Sequence, residues 1–202
     1  MPGTDLLLVN PLFLRDDPTE AKLMTPYFPL GLLYVAAVAR QAGYAVAIFD
    51  AMFAGGDADF VEALERHEPR VVGFGVLATV RRAALRLAAL AKSHGATVLV
   101  GGPDPTARPD VYLRHQVDGH YVCDVVAVGE AEAVVPELLA VLLASESPTG
   151  VFGGIPGIAY RDVYGDVVEN ERCALIEAID GLPLPARDLV NWDPYRNAWR
   201  AR

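Results

Sequence analysis

Short apolar runs alternate with longer stretches of helical period from the start of the chain to its middle. The run DLLLVN at Asp5–Asn10 predicts a buried strand, and GLLYVAAVARQ at Gly31–Gln41 places apolar residues at helical spacing until Gly43 closes it. YAVAIFD (Tyr44–Asp50) predicts a second strand, Phe60–Arg66 a second helix, and the β-branched run RVVGFGV (Arg70–Val76) a third strand. An Ala/Leu/Arg helix over Val80–His94 ends at Gly95, TVLVGG (Thr97–Gly102) predicts a fourth strand, and a short helix follows Pro109. DVVAVG (Asp124–Gly129) predicts a fifth strand, and Glu130–Ala144 the last helix of the series. Strands so short and apolar, separated by helices, are expected to form a five-stranded parallel sheet covered on both faces, a doubly wound α/β domain over residues 1–150. Beyond it, IPGIAYRDVYGDVVENERC predicts a β-hairpin around Tyr164-Gly165-Asp166 within 151–180, and residues 181–202 an extended, proline-rich tail that packs only loosely on the domain.

In such a sheet, ligands bind outside the carboxyl ends of the strands. The candidate chemistry therefore lies in Asn10–Leu30, Asp50–Asp59, Leu77–Thr79, Gly101–Pro109 and Gly129–Glu132. Gly101 and Gly102 leave the fourth strand without side chains, and the prolines of GGPDPTARP are expected to stiffen the floor they make. Gly73 and Gly75 thin the third strand, and Gly129 the fifth, just before Glu130. Three strands thinned at one edge predict a slot for a large flat or elongated ligand, although a Gly-Gly pair alone equally fits a tight turn.

Composition narrows the ligand. The chain has 202 residues, 52% of them hydrophobic, enough for one sizeable core and a small appendage. No apolar stretch approaches the roughly 20 residues of a membrane helix, and MPGTDLLLVN lacks the flanks of a signal peptide, so a cytoplasmic protein is expected. Cys123 and Cys173 are far apart and form no C-x-x-C pair. The net charge of −9 opposes nucleic acid and anionic lipid as partners. VNPLFL after the first strand holds no phosphate-binding glycines, and the acidic pocket and lysine of a phospho-receiver domain are missing as well.

PYFPLGLLYVAAVARQAGYAVAIFD, VVGFGV, VLVGGPDPTARP, DVVAVGEAEAVVPELL and the tail containing LPLPARDL occur in the order seen in a known family. In Pro29-Leu30-Gly31, Gly101-Gly102-Pro103 and Gly129-Glu130 the chain resembles the cobalamin-binding N-terminal domain of B12-dependent radical SAM enzymes. The resemblance implies a flavodoxin-like, Rossmann-like module whose cofactor is cobalamin, followed by a barrel that binds a [4Fe–4S] cluster and S-adenosylmethionine. It further implies methyl transfer: a radical made from S-adenosylmethionine removes hydrogen from an unactivated carbon, which then takes methyl from methylcobalamin.

Two departures shape that expectation. The D-x-H-x-x-G hallmark of mutase-type domains places its histidine after the first strand, where Asn10–Leu30 has none; DAMFAG at Asp50–Gly55 follows the second strand, and Met52 stands where the histidine would. The Ser-x-Leu element is replaced by Gly75-Val76-Leu77. Both favour the branch in which cobalamin is held base-off and without a protein histidine on cobalt. The three cysteines spaced C-x-x-x-C-x-x-C that hold the cluster are also missing, so the radical SAM domain is expected in cis beyond residue 202 or in trans. A stand-alone carrier, sensor or interaction module is the alternative, and no catalytic or metal-ligating residue is expected on this chain. The cofactor is expected to meet Asn10, Pro11, Tyr27, Phe28, Pro29, Gly75, Val76, Leu77, Ala78, Thr79, Gly101, Gly102, Pro103, Thr106, Gly129 and Glu130. Leu77, Ala78 and Thr79 are the candidates for the face beneath cobalt. Arg81 and Arg82 fit either corrin amides or a solvated helix face, and Glu130 either the ligand or the helix macrodipole.

Overall fold

The computed structural model describes residues 3–16, 22, 26–144 and 152–201. Strand β1 (Leu6–Asn10) is followed by α1 (Leu30–Gln41), β2 (Val46–Asp50), α2 (Asp57–His67), β3 (Val71–Gly75), α3 (Arg81–Ser93) and β4 (Thr97–Gly101). Two short helices, α4 (Pro103–Ala107) and α5 (Pro109–Leu113), lead to a small hairpin of β5 (Gln116–Val117) and β6 (His120–Tyr121). Then come β7 (Val125–Ala127), α6 (Ala131–Ala144), β8 (Ile158–Arg161), β9 (Val167–Glu169) and α7 (Asp193–Arg200).

The apolar runs pair in one mixed sheet of order β2-β1-β3-β4-β7-β8-β9. Its five expected strands are parallel, with Leu8 level with Ile48 on one side and Gly73 on the other. The expected hairpin extends the same sheet, β8 running antiparallel to β7 and β9 to β8. Helices α2 and α3, with α5, bury Phe60, Leu87, Tyr112 and Leu113 on one face. Helices α1 and α6 bury Ala36, Ala39, Leu138 and Leu139 on the other. Each large apolar side chain so buried contributes roughly 1.5–3 kcal/mol, which is what holds the two helical layers to the sheet. Among the described residues no helix is long and apolar enough to cross a membrane.

Two expectations are corrected here. The stretch Pro103–Ala107, expected as loop, is a short helix; the helix expected after Pro109 is present, and in both proline suits the first turn, where no backbone N–H is needed. The tail is not loosely packed either. Its start pairs with α1, Ala186 N–H donating to the Leu33 carbonyl at 3.0 Å and Arg40 holding Asp188 at 2.7 Å. At its end α7, with Pro194 in its first turn, buries Tyr195 and Ala198. Tyr195 stacks on Phe28 with ring centroids 4.1 Å apart, and Trp199 Nε1 donates to the Pro26 carbonyl at 2.9 Å. Arg202, the end of the expected tail, and part of the expected loop Asn10–Leu30 lie outside the described residues.

Candidate functional site

Alternate residues of a strand face opposite sides of the sheet, and here the two sides diverge toward the carboxyl edge. Facing α1 and α6, side chains shrink along each strand: Leu6, Leu8 and Asn10 on β1; Val71, Gly73 and Gly75 on β3; Leu99 and Gly101 on β4; Val125, Ala127 and then Gly129 from β7. Facing α2 and α3, the same strands keep Val72, Phe74 and Val76, Val98 and Val100, and Val126 and Val128, all buried. The taper leaves a cavity of about 450 Å³ on the α1/α6 side.

Eleven of the expected contact residues line this cavity: Asn10, Tyr27, Phe28, Pro29, Gly75, Val76, Leu77, Gly101, Gly102, Pro103 and Gly129. Five do not. Pro11 is buried, while Ala78 and Thr79 lie exposed in the turn Ala78–Val80. Thr106 Oγ1 accepts the Gly129 N–H at 3.0 Å, and Glu130 Oε2 accepts the Ile176 N–H at 2.7 Å. The remaining wall, including Leu8, Leu32, Val35, Leu99, Ala127 and Val135, was missing from the sequence reading. Its signal is the alternating decrease in side-chain size, read on one face only.

The glycines play different parts. A Cβ at Gly75 would sit 2.9 Å from Leu32 Cδ2, so glycine there keeps room beneath α1, and one at Gly73 would sit 3.0 Å from Leu8 Cδ2, so glycine there makes room for the side chains of the adjoining strands. Gly102 does not face the cavity as a bare floor. At φ +104 its Cβ would lie 2.8 Å from the Val76 carbonyl oxygen, so glycine there lets the end of β4 close against the segment after β3. Val76 N–H donates to the Gly101 carbonyl at 2.8 Å in that contact.

Arg81 does not line the cavity, and though partly exposed it is tied down by an ion pair. Its Nε donates to Asp104 Oδ2 at 2.7 Å and its Nη2 to Oδ1 at 2.5 Å, while the Tyr112 hydroxyl donates to the same carboxylate. The Arg81 guanidinium holds the buried Asp104 carboxyl below its usual range, and burial raises the Tyr112 phenol. This clasp fixes the start of α3 to α4 and α5. Arg82 is exposed, as a solvated helix face requires.

At the cavity, Asn10 Nδ2 donates to Asp50 Oδ1 at 2.9 Å, and the Tyr195 hydroxyl donates to Asp50 Oδ2 at 2.6 Å. Burial next to Asp50 raises the Tyr195 phenol, which keeps it a proton donor. Asp50 also accepts the Met52 N–H at 3.2 Å, so DAMFAG forms a capped turn with Met52 in the core. Of the four histidines, His67 and His94 end α2 and α3 at the opposite edge, and His115 and His120 lie at the small hairpin. Among the described residues none lines the cavity, and no cluster of His, Cys, Asp or Glu could hold a metal ion. Burial pushes the Cys123 thiol up to about 12, so it is inert.

A match to the B12 binding domain spans residues 20–139. The chain belongs to the B12-binding domain family. Over 198 residues this B12-binding chain is 28% identical to an uncharacterized methyltransferase of Pyrococcus horikoshii, covering 95% of the chain and 40% of that protein. Its fold matches that of the cobalamin-dependent S-adenosylmethionine radical enzyme OxsB with aqua-cobalamin bound, at a TM-score of 0.78 and 18% identity. The same enzyme with aqua-cobalamin and S-adenosylmethionine bound gives 0.77 and 17%. In both cases 98% of the chain is covered but 26% of OxsB, so the chain spans well under half of either relative.

Proposed function

We propose that this domain binds cobalamin base-off, with no protein imidazole on cobalt, and presents it to a radical SAM domain in cis or in trans for methyl transfer to an unactivated carbon. A cavity thinned by Gly73, Gly75 and Gly101, with no histidine among the described residues that line it, is the observation that carries this reading.

The residues fit the cofactor. A space of about 450 Å³ is too small for a whole corrinoid but admits its detached nucleotide arm, against the apolar walls of Leu8, Leu99 and Val135. Tyr27, Leu30 and Leu77, exposed apolar surfaces on the lining at the carboxyl edge, would hold the macrocycle. Leu77, with Ala78 and Thr79 beside it, offers the lower face no strong donor. When bound, cobalamin supplies the one-carbon transfer chemistry; the chain binds it, orients it and keeps water from the buried arm. S-adenosylmethionine and the iron–sulfur cluster belong to the second domain. The first relative is a methyltransferase by name, which supports methylation as the reaction.

The test is titration with hydroxocobalamin followed by reduction to cob(II)alamin. A saturable change in the absorption spectrum is expected, then an electron paramagnetic resonance spectrum without strong axial-nitrogen superhyperfine splitting. Splitting from one nitrogen that disappears on replacing any of His67, His94, His115 or His120 overturns the histidine-free assignment.

A further inference from the structure

Asn10 is the side chain at the end of β1 with both a hydrogen-bonding amide and a place on the cavity wall. Its orientation is not free. A carboxylate accepts but does not donate, so the amide atom turned to Asp50 Oδ1 must be the Nδ2 group, at 2.9 Å. Asp50 in turn is fastened twice more, by the Met52 N–H at Oδ1 and by the Tyr195 hydroxyl at Oδ2. Tyr195 is almost wholly buried, with Phe28 stacked on it and the edge of Phe53 against it at 4.9 Å. One of the two Nδ2 hydrogens is taken by Asp50, and the bond fixes the amide so that its carbonyl oxygen Oδ1, which the carboxylate cannot engage, is left as an acceptor for a ligand.

We infer that Asn10 is a specificity-determining residue that accepts a hydrogen bond from an amide N–H of the bound corrinoid, with Asp50 and Tyr195 as positioning residues that fix it as an acceptor. This rests on the cobalamin reading above. Corrinoids carry several primary amides around the ring, and hydrolysing one yields a carboxylate of nearly the same shape. A fixed acceptor with the Asp50 carboxylate behind it disfavours the acid twice: no proton is offered to Oδ1, and two negative charges approach each other. The chain would thus sort fully amidated corrinoids from their partly hydrolysed forms through one side chain, and the tail would set that choice through Tyr195.

The experiment titrates the whole chain with hydroxocobalamin and with each of its monocarboxylate derivatives, reading dissociation constants from absorption changes. Wild type is expected to disfavour one isomer by about tenfold relative to the others, as loss of one hydrogen bond from a built site does. Asn10→Ala should bring that isomer to the level of the rest while still binding. Asp50→Asn, nearly isosteric but able to donate as well as accept, should lower the discrimination at the same isomer, and Tyr195→Phe should lower it less. Thermal melts confirm folding of each variant, and Asn10→Ala decides the matter alone if Asp50→Asn does not fold. Equal discrimination in wild type and Asn10→Ala, or none in wild type, overturns the assignment and leaves the cobalamin reading intact. A folded wild type that binds no hydroxocobalamin overturns both.

Discussion

The two faces of the sheet are built from the same strands in the same register, yet one is filled to the carboxyl edge and the other is hollow there. On the α2/α3 face, Phe74, Val76, Val100 and Val128 carry the packing out to the carboxyl edge of the sheet. On the α1/α6 face, Gly75, Gly101 and Gly129 occupy the corresponding ends and leave a cavity. A sheet in which each residue belongs to one face can therefore assign stability to one side and binding to the other, with a single residue step between them. Breaking the filled face should cost the most. Phe60, fully buried against Phe49 and Phe74, does not itself line the cavity. Phe60→Ala is expected to lower unfolding free energy by about 3–5 kcal/mol in denaturant titration, while the fraction still folded binds hydroxocobalamin as wild type does. A parallel loss of affinity would mean that the faces are not separable.

The next largest effect comes from filling the hollow face. A Cβ at Gly101 would lie 3.6 Å from the Ala127 Cβ, an ordinary contact, and the backbone there is not left-handed. Gly101→Leu should therefore fold with stability within about 1 kcal/mol of wild type, because the added side chain enters existing space. Hydroxocobalamin affinity should fall by about 100-fold, equivalent to roughly 2.7 kcal/mol. Retained affinity in a folded Gly101→Leu protein would remove the cavity from the binding argument.

The five parallel strands and the glycine-thinned edge were legible in the sequence because short apolar runs, helix-closing glycines and the GG pair are local signals. The cavity wall was not, since Leu8, Leu99 and Ala127 look like ordinary core until they are read as the large ends of a taper on one face. The docked tail was missed for another reason. Trp192, Tyr195 and Ala198 have helical spacing, but the pull that orders them is tertiary: Phe28 stacks on Tyr195 and meets Trp192 at a tilt, and Asp50, 145 residues away, receives the Tyr195 hydroxyl. Arg81 was ambiguous because its partner Asp104 lies 23 residues on, inside a segment read as loop.

A third test separates the two adjacent glycines. Gly101→Leu should spare the fold and remove the site, whereas Gly102→Ala should do the reverse. At φ +104, with the Val76 oxygen 2.8 Å from the new Cβ, alanine is strained and crowded by backbone. A loss of about 1–3 kcal/mol in stability is expected, with affinity reduced much less than by Gly101→Leu. If Gly102→Ala leaves the melting temperature unchanged, the close approach of β4 to the segment after β3 is not the role of that glycine.

The smallest expected effect lies at the clasp beside the filled face and tests whether the rim of the hollow one is held electrostatically. Asp104 is buried and accepts from Arg81 and Tyr112, and its carboxyl is held below its ordinary value of 3.8 chiefly by the Arg81 hydrogen bonds. A carboxyl whose folded value is depressed binds protons more readily when unfolded. Its contribution is therefore fully present above the unfolded value and disappears as pH falls through the folded one. Asp104→Asn keeps the shape but not the charge, so wild type should melt at higher temperature than the variant from about pH 7 to about pH 5, by a constant margin. Below about pH 4 the margin should narrow as Asp104 takes up its proton in wild type. Melts at several pH values over that range check the trend, and because Asp104 is buried, high salt should shrink the margin only modestly. A margin that stays constant through the acid range would mean that Asp104 holds α4 by shape and hydrogen-bond count alone, with its charge idle.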